Sequence, residues 1–569
     1  MVDLKLSMST SEYYVKDSPT KRASRDLTNN TEPGTLNSLR EENCLIKQPV
    51  AEDMILRRSQ YLKPKCRVRK ISSKAAVLVL IWTVLAISVI GYLGNLTILF
   101  HLNDDLISAI VPAVVFVVMA LLSGYIADNF IGRYKSAKIA FILLFATSIL
   151  QCILVTAKQS IVEYPLGLRI GLVTFTSSLG FGSFAILLVT LPQIGLDQMT
   201  DNSVSNITSF IAWFVASWFF GVWFSEFSST TGLFCFGDDF QTVWSLLSVV
   251  SMSIVLISDF FLTPKWLIIE PKSPQSIKTI YRVLKYAAKH KSPTNRSALT
   301  YWEEGIPSRI DLGKTKYGGP FTVEQVEDVK TLLRILALTA PLWLTFFSFQ
   351  MQLKIVYNIV LKADPFGNVT DSQRCHSHVI MFFTYESNLL TVLFLVVYEL
   401  VVFPLIGHLT PSSIRRIGMS VLLIVIASFF CILICVYFYF YHDIHIALAY
   451  IYALSVATIF SILYPSLMEF VSAQSPYNMR SLLQGYLWCI VMFSSGITEL
   501  IITFSISKYG LAHHKLIFSS VATVVTLVGF VLFCLLARWY KRRERDDIVS
   551  VHTLVEEVYD RYISNRSVL

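Results

Sequence analysis

Charged side chains are scarce in this sequence, at 15% of 569 residues, where a typical soluble domain carries about 25%. A soluble chain of this length divides into several domains, and the charge here is too thin to coat them. Between Ala75 and Asn103 there is no acid and no base except His101. The first sixty residues lack any apolar stretch, which excludes a signal peptide there and reads as a disordered polar tail. The nine cysteines have no metal-type spacing, and most fall in apolar blocks, so neither a metal site nor a cofactor is expected. No enzyme motif and no short repeat stand out; the chain is expected to be neither an enzyme nor a binder of nucleic acid.

What is abundant is oil. Apolar residues reach 54% and the mean hydropathy is +0.57. They gather in blocks of about 20, the length that crosses a bilayer at 1.5 Å per residue. The blocks predict twelve spans near 75–100, 106–126, 137–157, 168–192, 203–225, 241–263, 329–352, 377–403, 417–440, 444–468, 480–504 and 516–538. These are numbered spans 1 to 12 below.

The net charge of +9 sits at the span ends. Lys63, Lys65, Arg67, Arg69, Lys70 and Lys74 precede the first span; Arg538, Lys541, Arg542, Arg543 and Arg545 follow the last. By the positive-inside rule both termini are expected to be cytoplasmic, and an even number of spans agrees by putting them on one side. The loops "GRYKSAK" at 132–138 and "SSIRR" at 412–416 fall on the same basic side.

The expected organisation is a cytoplasmic tail over 1–74, a six-helix half over 75–263, a cytoplasmic linker over 264–328, a second six-helix half over 329–540 and a tail over 541–569. This predicts an all-α integral membrane protein of the major facilitator type, with solute held between halves. Within the linker, Ile277, Ile280, Leu284 and Ala287–Ala288 have helical spacing. Asn368 heads a glycosylation sequon in a far-side loop. Cys235 and Cys375 also lie in far-side loops, and two readings stand: a disulfide, or two free thiols.

Several stretches resemble the proton-dependent oligopeptide transporter family (solute carrier family 15), most closely its peptide/histidine branch. They are "SGYIADNFIGRYKS" (123–136), "GGPFTVEQVEDVKTLLRIL" (318–336), "FQMQ" (349–352), "LTPSSIRRIGM" (409–419) and "EFVSAQSPYNMRSLLQG" (469–485). The resemblance implies proton-driven uptake of di- and tripeptides or histidine by alternating access of the two halves. It also implies that Asp128, Gly132 and Arg133 form a gating loop, with Gly132 allowing a tight turn.

The family's chemistry is largely missing. Where the family has two glutamates and an arginine in span 1, this chain has Trp82, Leu85 and Ala86. Leu187 or Leu188 replaces the lysine of span 4, Phe219 the asparagine of span 5, and Ile459 or Phe460 the glutamate of span 10. A charge at the bilayer centre costs about 2.5–3.5 kcal/mol on insertion scales and is kept where function needs it. Glu386 in span 8, with Tyr385 and Asn388, is the best remaining substrate or proton candidate; Gln350 and Gln352 are candidates for a polar solute. Glu399 and Glu499 are further intramembrane acids, and Trp213, Trp218, Trp223 and Trp488 read as packing or belt residues.

Three functions follow: a peptide/histidine-type symporter with altered proton coupling, a facilitative carrier of a less charged solute, or a non-transporting scaffold or sensor. Glu41, Leu45 and Ile46 fit an acidic dileucine sorting signal, which would direct the chain to endosomes or lysosomes rather than the plasma membrane. Val551, Leu554, Val555, Val558 and Tyr562 predict a short amphipathic helix in the C-terminal tail.

Overall fold

The computed structural model describes residues 73–93, 96, 100, 106–158, 161, 164–199, 204–231, 238–267, 276–290, 307–362, 379–406, 411–441, 446–476, 479–508 and 512–540. Glu41, Leu45, Ile46, His101, Cys235, Cys375, Asn368 and the C-terminal tail lie outside them, as do the side chains of Tyr385, Glu386 and Glu499.

In hydrocarbon every backbone N–H and C=O must be paired internally, so apolar blocks become helices. Among the described residues twelve long helices form: Lys74–Leu93, Leu106–Ile126, Arg133–Thr156, Leu166–Asp197, Val204–Thr231, Asp238–Trp266, Val323–Lys362, Val379–Val397, Ser413–Tyr441, Ile446–Gln474, Arg480–Lys508 and Ala512–Trp539. They match spans 1 to 12 in order. Eleven are long and apolar enough to cross a membrane; the described apolar part of the first, Lys74–Ile90, is shorter. Among the described residues the only β pairing is one bridge, Lys314 to Phe321.

Spans 1 to 6 pack on one another and spans 7 to 12 likewise. The halves meet where span 2 packs on span 11, span 5 on spans 8 and 10, and span 4 on span 11. The outer surface is apolar: Phe260 and Phe440 are 70% exposed and Leu405 69%, a tolerable coat in lipid and an aggregation hazard in water. This is the major facilitator fold.

Span 7 begins at Val323, six residues before its expected start at 329, and runs for 40 residues. Its first turns hold the linker. The linker helix, Ser276–Lys289, buries Val283 against Val326 and Val329, with Ile280, Ile310 and Phe321 around them. Of the residues with helical spacing named above, Ile280 packs on this patch and Ala287 is buried, whereas Leu284 is exposed and Val283 is buried instead. The buried stripe follows Ile280, Val283 and Ala287.

Behind this patch lies an ionic clasp. Lys314 Nζ is 2.7 Å from Asp311 Oδ1 and 2.5 Å from Glu327 Oε1, and Lys330 also pairs with Asp311. Burial acts to raise the Asp311 pKa, but hydrogen bonds from Lys314, Lys330 and Ser308 outweigh it and hold the carboxyl well below the usual carboxylate range. Burial likewise opposes the charge on Lys314, and its bonds to Asp311 and Glu327 overcome that and push its pKa up.

Candidate functional site

The loop between spans 2 and 3 closes one end of the interface, called the basic end below. Span 2 finishes in a π-helical turn, Ala127–Ile131, and Gly132 follows with φ 93°. That left-handed value suits glycine and strains any other residue. The turn aims Asp128 and Arg133 at the other half. Asp128 Oδ2 accepts from the backbone N–H of Leu482 at 3.0 Å, capping the start of span 11, where N–H groups otherwise lack partners. Arg133 Nε lies 3.3 Å from Asp128 Oδ1 and 3.2 Å from Ser481 Oγ, and its Nη1 binds both oxygens of Asp197 at 3.0 and 2.8 Å.

One guanidinium therefore joins the ends of spans 2 and 4 to the first turn of span 11. Gly485 lets span 2 come this close; a Cβ there would stand 2.3 Å from the Ala120 carbonyl oxygen. Gln193 of span 4 adds a bond to Ser472 of span 10 at 3.3 Å, and Ser209 of span 5 donates to Glu399 Oε2 of span 8 at 2.8 Å. The halves are tied at the basic end by groups from four pairs of spans. Asp128, Gly132 and Arg133 thus sit together where the gating loop is expected, and Asp197, which the sequence reading did not single out, completes them.

Near the middle of the bundle the interface is aromatic. Phe219 of span 5 stacks on Phe460 of span 10 at 5.6 Å with 26° between planes. Trp218 meets Trp488 of span 11 at 4.7 Å and Tyr464 of span 10 at 5.1 Å, both edge to face. Phe349 of span 7 stands edge-on to Phe460 at 5.8 Å. All these separations fall in the favourable 4.5–7 Å window for ring pairs. The six rings come from four spans of both halves.

By the resemblance read in the sequence, Phe219 stands for an asparagine and either Ile459 or Phe460 for a glutamate; in space Phe219 and Phe460 are one contact. Trp218 and Trp488, read as packing or belt residues, meet across the halves, a pairing that helical periodicity within one span cannot reveal.

At these rings two polar, uncharged side chains are buried without a bonded partner among the described residues. Gln484 lies one turn before Trp488 on the same face of span 11, fully buried; its amide and the Trp488 indole N–H make no hydrogen bond with the described residues. Leaving such groups unsatisfied costs about 1–3 kcal/mol each. They are the kind of donors and acceptors a polar, uncharged ligand would engage.

The sequence-derived candidates divide. Gln352 is fully buried and turned into its own half, accepting from Ser428 at 2.9 Å and donating to Thr523 at 3.4 Å. It is a strut between spans 7, 9 and 12 rather than part of the interface. Gln350 is half-buried beside Phe349, and Asn388 is buried in span 8. The backbones of Tyr385 and Glu386 lie in the helix Val379–Val397. In span 1, Trp82 donates to Ser258 of span 6 at 2.8 Å and packs on Phe141 of span 3, so this residue serves packing. Leu187 and Leu188 are also buried core.

No sequence profile of a known protein family matches the chain. Solved structures do resemble it. The crystal structure of an auto-inhibited POT family peptide transporter aligns over 82% of this chain and 98% of its own, at 16% identity and TM-score 0.55. The in meso structure of the POT family transporter PepTSo gives 82%, 99%, 16% and 0.55. The proton:xylose symporter XylE, of the major facilitator superfamily, aligns over 80% of this chain and 94% of its own, at 12% identity and TM-score 0.52. At these identities the likeness establishes the fold.

Proposed function

We propose that the chain is an alternating-access carrier of the oligopeptide-transporter type, adapted to a small solute of low net charge. The observation that carries this reading is the Phe219–Phe460 stack, set among Trp218, Tyr464, Trp488 and Phe349. A zwitterionic peptide brings two charges that need partners once out of water. An aromatic site with amide and indole donors suits instead a flat or apolar solute carrying hydrogen-bonding groups. The tie at the basic end gives the cycle one of its two closed states. A ligand moves such an equilibrium only through its different affinity for the two states, and rings that must separate when the halves part supply that difference.

Proton coupling, where present, runs through span 8 rather than span 1, with Glu386 as the group that exchanges the proton. Both termini are cytoplasmic in this reading, and the Glu41–Leu45–Ile46 signal directs the chain to endosomes or lysosomes. The deciding experiment is uptake into proteoliposomes of neutral aromatic solutes, histidine and dipeptides, with and without a pH gradient. We expect a neutral aromatic solute to cross and dipeptides to fail. Strong proton-driven dipeptide accumulation overturns the low-charge assignment, and no flux of any solute favours the scaffold reading.

A further inference from the structure

The linker helix Ser276–Lys289 has a face that the transport cycle does not explain. It carries Lys278, Arg282, Lys285 and Lys289 and no acid. At about 100° per residue, these four cations fall within an arc of roughly 60°. The stripe of Ile280, Val283 and Ala287, which packs toward span 7, lies on the opposite side. Lys278, Arg282, Lys285 and Lys289 are all exposed. Along one edge of the cationic arc stand Tyr281, 61% exposed, and Leu284, 36% exposed. Lys285 Nζ sits 5.4 Å above the Tyr281 ring.

The height of this helix along the bundle follows from span 7. Its uncharged stretch runs from Ile335 to Leu353, about 28 Å long and close to the thickness of a hydrocarbon core. The linker helix packs on Val326 and Val329, which lie about 9–14 Å beyond Ile335 along the helix axis. That is the level of lipid headgroups and the water beside them. At the end of span 6, Lys265 and the exposed Trp266 add a cation and an interface aromatic a few residues before the linker helix begins.

We propose that this basic stripe is a docking surface for the anionic headgroups of the leaflet at the basic end. Four cations in line can face phosphates at once, while Tyr281 and Leu284 reach toward the acyl boundary, as in helices that lie on membrane surfaces. The ionic clasp of Asp311, Lys314, Glu327 and Lys330 holds the segment Ile310–Phe321, against which the helix packs, onto span 7. The stripe is thereby presented at a fixed height. Because span 7 belongs to the second half, charge in one leaflet becomes attached to that half alone. This inference does not depend on which solute is carried.

Hydrogen exchange of the full chain in lipid nanodiscs tests it. Exchange over 276–290 is compared between discs of phosphatidylcholine alone and discs that also contain phosphatidylserine. Each cation near an anionic surface shifts the docking equilibrium about fivefold, so serine lipid should slow exchange of this helix at least about fivefold. Exchange over 310–330 should stay unchanged. Raising the ionic strength from about 0.15 M to about 1 M, which shortens the screening length from about 8 Å to about 3 Å, should remove most of the difference. The variant Lys278→Gln/Arg282→Gln/Lys285→Gln/Lys289→Gln should lose the lipid dependence while keeping its protection in neutral discs. Equal exchange in both disc types for the unmodified protein overturns the proposal and leaves the stripe to an acidic protein partner. Slowing by serine lipid that survives both high salt and the fourfold variant overturns it equally, because the contact is then not ionic.

Discussion

The two halves solve the same corner in different ways. In the first, span 2 ends in a π-helical turn carrying Asp128, span 3 opens with Arg133, and span 4 has Pro192 shortly before Asp197. In the second, span 8 ends in a π-helical turn carrying Glu399, Arg416 lies in the first turn of span 9, and span 10 has Pro465 shortly before Glu469. The parts correspond; the wiring does not. Arg133 holds both of its acids and touches span 11 of the other half. Arg416 holds Glu469 at 2.5 Å, while Glu399 reaches across to Ser209 of span 5. A carboxylate crosses the interface from each half: Asp128 accepts from the Leu482 backbone N–H, and Glu399 accepts from Ser209 Oγ.

The difference sets how each corner should fail. A buried acid that loses its cation costs about 3–5 kcal/mol, whereas a single hydrogen bond to a charged group is worth about 1.5–3 kcal/mol. Arg133 is shared between its acids and Ser481 of the other half, whereas Arg416 pairs with Glu469 inside one half, so the first corner is the firmer latch across the interface.

The largest expected effect is from Arg133→Ala, which removes the cation shared by Asp128 and Asp197. Cysteine-labelling access from the basic end should rise sharply, with a loss of thermal stability of about 3–5 kcal/mol. Arg133→Lys should recover part of this, because lysine keeps the charge and loses the two-pronged geometry. If Arg416→Ala opened the basic end as far as Arg133→Ala, the distinction between the corners would collapse.

Next in size is Gly485→Val, which forces spans 2 and 11 apart at the Ala120 carbonyl. Overpacking of this kind costs about 1–3 kcal/mol, and the same labelling assay should show partial opening. Ser209→Ala should cost about 1.5 kcal/mol through the lost bond to Glu399. Glu399→Gln should cost less, since an amide oxygen still accepts from Ser209. A Glu399→Gln effect as large as that of Arg133→Ala would show that the second corner, too, is held by charge.

The smallest effect concerns pH at the linker clasp. Asp311 has a folded pKa below its unfolded value, so its contribution is present above about pH 4 and fades as pH falls through the lower, folded value. Lys314 has a raised folded pKa, so its contribution is complete below about pH 10 and is lost only as pH climbs beyond that. Exchange protection over 310–330, corrected for the intrinsic rate, should therefore be flat between about pH 5 and 9. A step inside that range would mean that another group governs the clasp.

Much of this was legible in one dimension. Twelve apolar blocks gave twelve helices in order, because span length and internal backbone pairing leave a hydrophobic segment few other choices. The corner of Asp128, Gly132 and Arg133 was legible as a unit because the three residues keep a fixed local spacing. The site was less legible. Gln352 looked available for a solute because its hydroxyl partners, Ser428 and Thr523, lie on spans distant in sequence. Val283 is not legible as the buried residue of the linker helix, because the buried arc depends on which valines of span 7 it meets. The stack of Phe219 on Phe460 has no signature in either span alone.

Span 7 carries a mechanical consequence. Its 40 residues make a rod of about 60 Å, roughly twice what the oil can hold. From the middle of its uncharged stretch to Val326 is about 27 Å, so rocking the second half by about 15°, an angle typical of subunit rotations, would sweep that tip about 7 Å. The linker helix rides on the tip like the pointer of a gauge. A fluorophore pair between Ala288 and the end of span 6 would then read the position of the carrier directly, with no solute in hand.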